Sequence, residues 1–189
     1  NSSVPNNGSG EIEKFLPYKR DEKLSRPWAI PGTKDLEHRI GGIEKAHETG
    51  NISYEPDNHE FMVKMRQAKV DKVADYLPEQ TIDNGKEKGN ILVLGWGSTY
   101  GSIKTAVKDC IAKGISVSHV QVKHINPLPK NLGSILKNFD KVLMPEMNNG
   151  QFSKIIRDKY LVNTIGFDKI KGVPFTANEI RNKIEELNK

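Results

Sequence analysis

Ile91-Leu92-Val93-Leu94-Gly95-Trp96-Gly97-Ser98-Thr99-Tyr100-Gly101 is the stretch whose reading decides the fold. Four consecutive apolar residues read as a short strand covered on both faces, because a strand with one wet face alternates polar and apolar positions. The glycine-punctuated segment that follows predicts a turn. Beyond it Ile103, Ala106, Val107, Cys110 and Ile111 fall at i, i+3, i+4, i+7 and i+8, one apolar stripe of a helix. Gly114 stands where a left-handed C′ residue would stop that helix.

Working outward, the same alternation continues. Val117–Val122 predicts a second strand, and Pro127 and Pro129 break the chain after it. Leu132, Ile135, Leu136 and Phe139 predict a short helix, and Lys141–Met144 a third strand. Phe152, Ile155, Ile156 and Tyr160 mark another helix, and Leu161–Ile165 another strand. Thr176 and Glu179 have the spacing of a capping box for a last helix with Ala177, Ile180, Ile184 and Leu187 inward. Strands alternating with helices at this spacing define an α/β class with a mostly parallel sheet.

Upstream the texture changes. Gly85–Asn90 is a charged hinge. Asp57–Leu77 predicts a helix, with Phe61, Met65, Ala68, Val73 and Tyr76 on one side, Asp57 or Asn58 as cap and Pro78 as stop. Between Glu11 and Pro56, eight Pro and Gly residues leave no room for long elements. A stretch of ~45 such residues is unusual inside a compact domain and fits a segment that wraps over a partner. Asn1–Gly10 is small and polar and reads as a disordered linker.

Composition narrows the function classes. The 189 residues include one cysteine, Cys110, so no internal disulfide, cysteine zinc site or cysteine-held iron–sulfur cluster is expected within the chain. Cys110 lies on the apolar stripe, which favours a core role over a nucleophile. No apolar run nears the ~18–20 residues of a membrane span. The chain opens Asn1-Ser2-Ser3 with no signal-like segment, so a cytoplasmic piece of something longer is expected. Residues 1–100 carry 14 Lys/Arg against 16 Asp/Glu, and residues 101–189 carry 15 against 8. The basic C-terminal half lacks an arginine-rich run with interleaved aromatics, so a solvated face is expected rather than nucleic-acid binding.

Two loops are candidate sites. Gly95, Gly97, Ser98 and Thr99 precede a helix, where backbone N–H groups and hydroxyls face an anion at the positive helix end. Their spacing is neither that of a dinucleotide fingerprint nor of a P-loop, and no acidic residue ends the second strand. The competing reading is a tight strand-to-helix turn in which Ser98 or Thr99 caps. Met144–Gln151 lies where a third strand ends, at the sheet edge where ligands and partner chains sit. There Glu146, Asn148 and Gln151 suit either a hydrogen-bonded interface or helix capping. The five histidines show no metal-ligand spacing. No Gly-x-Ser-x-Gly elbow is present.

Several stretches together resemble one family. Arg26–Thr33, Glu37–Gly42 and Thr49–Tyr54 are similar to a block in alpha subunits of 2-oxoacid:ferredoxin oxidoreductases. Leu94–Gly101, His124–Pro129, Pro145–Gln151, and Gly166-Phe167 with Lys171–Phe175 follow in the family's order. The resemblance is nearest to the 2-oxoglutarate type and covers roughly residues 15–187. It implies a three-layer α/β/α sandwich similar to the transketolase C-terminal domain at 89–189, with five strands, one antiparallel. Residues 11–88 would be the tail of a pyrimidine-type domain with its connecting helix. It further implies a parent enzyme with thiamine diphosphate, Mg, an iron–sulfur cluster and CoA, none bound by this chain. The beta subunit, ferredoxin and the rest of the alpha subunit are the implied partners, with no nucleic acid and no membrane. His124, Asn126, Glu146, Asn148 and Gln151 then become candidates for an interface or the edge of an active site formed elsewhere. No catalytic or metal-binding residue is assigned within the chain, which by itself is expected to be inactive. The different-class alternative is a stand-alone α/β module that binds nucleotides or proteins.

Overall fold

The computed structural model describes residues 14–189, so the linker expected at Asn1–Gly10 lies outside the described residues. The chain divides into two compact units, one ending at Val73 and the other starting at Ala74.

In the first unit, the described residues before Pro56 form turns and isolated antiparallel bridges, Tyr18 with Glu48 and Lys45 with Ile52. This agrees with the dense Pro/Gly punctuation. Helix α1 (Pro56–Lys72) opens on a proline, whose fixed φ and missing N–H suit a first helical position. Neither Asp57 nor Asn58 is its cap. The helix starts after Glu55 without a side-chain cap, and Asn58 instead accepts from the His47 N–H at 2.9 Å and donates to the Lys45 carbonyl at 2.9 Å. The α-helix also stops short of Leu77, continuing as a 3-10 turn over Val73–Tyr76. The expected apolar stripe is not a buried face: of α1 only Met62 is buried, while Phe61 stays 38% exposed. A helix buries a face only where another element offers one, and this unit supplies loops.

In the second unit the alternation predicted from Ile91 onward is realised. Its strands are β1 (Gly89–Trp96), β2 (Val117–Val122), β3 (Phe139–Glu146) and β4 (Thr164–Asp168). Its helices are α2 (Tyr100–Ala112), α3 (Leu132–Leu136), α4 (Gln151–Tyr160) and α5 (Ala177–Leu187). The four strands run parallel in the order β2-β1-β3-β4. Leu92, Leu94, Val142 and Met144 pack with residues of α3 and α4 on one face. Ile91, Val93 and Leu143 pack with residues of α2 and α5 on the other. Helices on both faces explain why β1 is buried throughout its centre, and they complete a three-layer α/β/α sandwich.

Four expectations need correcting. Among the described residues the sheet has four strands rather than five, all parallel. Antiparallel pairing on the outer edge of β2 is limited to the bridge between Asn84 and His119. At Gly85, next in line, the chain takes φ +95, a left-handed conformation that leaves the extended geometry of a strand. Strand β4 starts at Thr164 rather than Leu161, because Leu161 ends α4 in a left-handed conformation with 90% of its surface exposed. Phe139 opens β3 instead of closing α3, and Ile155 faces solvent.

Helix α5 has the reciprocal capping box expected of Thr176 and Glu179. Lys113 and Gly114 (φ +81) close α2 as predicted. Cys110 is fully buried in the α2 face, and burial pushes its thiol pKa up, which keeps it protonated and unreactive. Among the described residues, no helix is long and apolar enough to cross a membrane.

Candidate functional site

The order β2-β1-β3-β4 sends the chain from β1 to one side and then back across to the other. The carboxyl ends of β1 and β3 therefore flank a switch point, the usual place for a ligand in an open α/β sheet. Trp96 ends β1 and Glu146 ends β3. The Trp96 indole N–H donates to Glu146 Oε2 at 3.4 Å, and its ring lies 5.8 Å from that of Phe152.

Glu146 is 1% exposed. Its Oε2 accepts the Phe152 N–H at 3.0 Å and its Oε1 the Ser153 N–H at 2.8 Å, both in the first turn of α4. Asn148 Oδ1 accepts the Gln151 N–H at 2.9 Å. The first three N–H groups of α4 are thus taken by side chains of the strand end and the turn before it, and the positive helix end is met by a carboxylate of the same chain. Of the two readings open for this loop, helix capping is the one the geometry realises for Glu146 and Asn148. Gln151 is the first residue of the helix and its side chain is exposed.

Asp168, at the end of β4, pairs in register with Glu146. Burial first, and then the negative charge of Glu146, raise the Asp168 pKa. Its carboxylate sits against Gly150 (φ +68), where an added Cβ would lie 3.1 Å from Oδ2.

The glycine loop also divides. Gly95 is packed inside: a Cβ there would meet Gln121 Oε1 and Ile103 Cδ1 at 2.5 Å. Thr99 is 5% exposed and donates its hydroxyl to the Trp96 carbonyl at 2.9 Å, turning inward instead of capping α2. Gly97 and Ser98 face solvent, with the Ser98 hydroxyl 3.9 Å from the Met147 sulfur. His124 and Asn126 are exposed in the loop after β2, whereas Glu146, Asn148 and Gln151 follow β3 on the opposite flank of β1. The five edge candidates therefore form two groups, not one.

A polar cluster beside β2 escaped the sequence reading. A cavity of about 530 Å³ is lined by Asp83, Gly97, Tyr100, Gln121, Val122 and Lys123. Gln121 organises it: its backbone N–H donates to Asp83 Oδ2 at 2.7 Å and its side-chain amide to the Gly97 carbonyl at 3.1 Å. Its Oε1 lies 3.3 Å from Nε2 of His119, whose ring is 5.6 Å from that of Tyr100. His119 is fully buried with Nδ1 unpartnered, as is Asn84 Nδ2. Burial, the largest influence, lowers the His119 pKa and holds the imidazole neutral. The signal that would have found this cluster is period two: His119 and Gln121 are polar residues two apart on one face of a buried strand. The site presents hydrogen-bond donors and acceptors, but among the described residues no group of three or more His, Cys, Asp or Glu is placed to hold a metal.

The sandwich with its switch-point edge belongs to a recognisable class. Residues 89–180 match the family model of pyruvate:ferredoxin oxidoreductase core domain II. More particularly, the chain is similar to 2-oxoglutarate oxidoreductase alpha subunits. It is 47% identical over 169 residues to the 2-oxoglutarate oxidoreductase subunit KorA of Mycobacterium tuberculosis, covering 89% of this chain and 26% of that one. It is 30% identical over 172 residues to the 2-oxoglutarate synthase subunit KorA of Archaeoglobus fulgidus, covering 90% and 43%. It superimposes with a TM-score of 0.86 on the 2-oxoglutarate:ferredoxin oxidoreductase of Magnetococcus marinus, solved with 2-oxoglutarate, coenzyme A and succinyl-CoA bound. That match has 28% identity over 96% of this chain and 32% of that one. The chain thus spans less than half the length of each of these relatives.

Proposed function

We propose that this chain is the C-terminal part of the alpha subunit of a thiamine-diphosphate-dependent 2-oxoglutarate:ferredoxin oxidoreductase. The whole enzyme would decarboxylate 2-oxoglutarate oxidatively to succinyl-CoA and pass the electrons to ferredoxin. Residues 11–88 are then the tail of the pyrimidine-type domain, and residues 89–189 the transketolase C-terminal-like domain. The observation that carries this reading is the 47% identity along nearly nine-tenths of the chain.

The decarboxylation needs a cofactor that stabilises a carbanion, and in this family thiamine diphosphate supplies it. We assign that group to other parts of the enzyme, and none of the residues named above is proposed to hold it. What the chain supplies is a rigid sheet edge, with Glu146 holding β1 to β3 and to the start of α4. The surplus of 15 Lys/Arg over 8 Asp/Glu in residues 101–189 suits an acidic partner such as ferredoxin.

The test is reconstitution. A full-length alpha subunit with its beta partner should reduce ferredoxin in the presence of 2-oxoglutarate and CoA. The same partner given this chain in place of the full subunit should not, and measurable turnover by that pair would overturn the proposed division of labour.

A further inference from the structure

The first unit contains a cavity of about 470 Å³ that the oxidoreductase reading leaves unused. Its charged lining is Arg20, Arg26, Lys45, Arg66 and Lys69 against one carboxylate, Glu44, a surplus of four positive charges. Glu44 is already engaged: Arg66 donates to it at 3.2 Å, and His59 Nδ1 lies 2.6 Å from it. The Arg66 hydrogen bond chiefly, and that of His59 after it, hold its carboxyl below the usual range.

Among the described residues the other cations have no such counter-ion. Lys45 is 4% exposed, and its ammonium donates to the carbonyls of Gly41 and Ile43 at 2.6 and 2.8 Å. Arg26 lies over the Tyr18 ring, 4.3 Å from its centroid, and Arg20 meets the Met62 sulfur at 3.6 Å. None of these contacts neutralises a charge. Burial, and after it Arg26 and Arg66, lower the Arg20 pKa, as close like charges do. Cations gathered in one concavity repel each other until an anion sits among them.

The charge count selects the anion. A carboxylate offsets one of the four surplus charges. A phosphate ester carries about −1.5 to −2 and presents three acceptor oxygens, which matches the planar fork of a guanidinium. Leu24, Ile40, Ile43 and Met62 add an apolar wall. The volume falls within the roughly 300–1,000 Å³ of small-molecule sites, which leaves space for an organic body as well as a phosphate. We propose that this cavity binds a small organic phosphate, with Arg20, Arg26 and Lys69 on the phosphate and the apolar wall against the body it carries.

Calorimetric titration of the whole chain with phenyl phosphate, inorganic phosphate and benzoate tests this. Phenyl phosphate should bind saturably, about tenfold tighter than either of the others, and more weakly as NaCl is raised. The Arg20→Gln/Arg26→Gln double variant should lose about tenfold in affinity. Lys69→Gln, exposed on α1 and harmless to folding, should lose about threefold, while Lys104→Gln in the second unit should lose nothing. Absence of saturable binding, benzoate binding as tightly as phenyl phosphate, or full affinity in Lys69→Gln would each overturn the site. Equal affinity for inorganic phosphate would overturn the organic component.

Discussion

Trp96 and Glu146, fifty positions apart, close the switch point of the sheet: the indole N–H of one reaches the carboxylate of the other at 3.4 Å. The same carboxylate receives the N–H groups of Phe152 and Ser153. One buried anion therefore joins the ends of two strands to the start of a helix.

Glu146→Ala leaves two buried backbone donors and an indole N–H without their acceptor. The cost should be about 1–3 kcal/mol for the unsatisfied groups, read as a lower midpoint in urea. Glu146→Gln keeps one acceptor oxygen and should lose less. Equal stability of the alanine variant and the parent would contradict the capping role.

Gly95 and Gly101 should respond in opposite senses to alanine. A Cβ at Gly95 meets Gln121 Oε1 and Ile103 Cδ1 at 2.5 Å, whereas one at Gly101 meets nothing within 4 Å. Overpacking at Gly95 should cost about 1–3 kcal/mol. Gly101→Ala, inside α2, should be neutral or stabilising by up to about 1 kcal/mol. Thermal unfolding of the two variants side by side checks the contrast.

The capping box of α5 predicts an acid-sensitive helix. The Glu179 carboxyl is pulled from 4.5 to about 2, first by the Thr176 backbone N–H and then by Lys169 and the Thr176 hydroxyl. A carboxyl whose folded pKa is depressed stabilises the fold above its unfolded pKa and loses that contribution as pH falls toward the folded one. The stability difference between the parent and Glu179→Gln should thus hold at neutral pH and shrink between about pH 4.5 and 2. Thr176→Ala should cost about 1 kcal/mol, as lost N-caps do.

His119 works in a higher window. Its folded pKa lies below the ordinary 6.5 because burial disfavours the charged ring, and Lys104 adds to this while Gln121 and Asp83 act against it. Below the unfolded value the unfolded chain takes up a proton that the folded one resists, so stability is full at pH above 6.5 and declines as pH falls below it. Urea midpoints at pH 7.5 and 5.5 should differ more for the parent than for His119→Asn, measured at about those pH values. An equal difference would remove the histidine from the explanation.

Local rules made much of this fold readable. Strand β2 runs from Val117 to Val122 as expected, with β-branched valines at 117, 120 and 122, and Thr176 and Glu179 cap α5 through an interaction spanning three residues. The misreadings share a cause: each depended on what lies opposite in space. Leu161 looks like the start of a strand, yet it serves as the left-handed end of α4. The apolar residues of α1 look like a core stripe but meet loops. At the candidate site, Glu146 and Asn148 were visible as polar residues at a strand end. That Glu146 faces Trp96 and the first turn of α4 follows from strand order, which no local window contains. The pairing of Gln121 with Gly97, Asp83 and His119 escaped notice for the same reason.

Lys169 has a consequence of its own. Its side chain is 11% exposed, and its ammonium holds the Pro174 carbonyl and both oxygens of Glu179 at 2.9 Å and lies 5.3 Å from the Phe175 ring centroid. Peeling the final helix off the sheet would strand a half-shielded cation, so the exit of the last strand, the loop after it and the terminal helix come undone together rather than fraying one at a time.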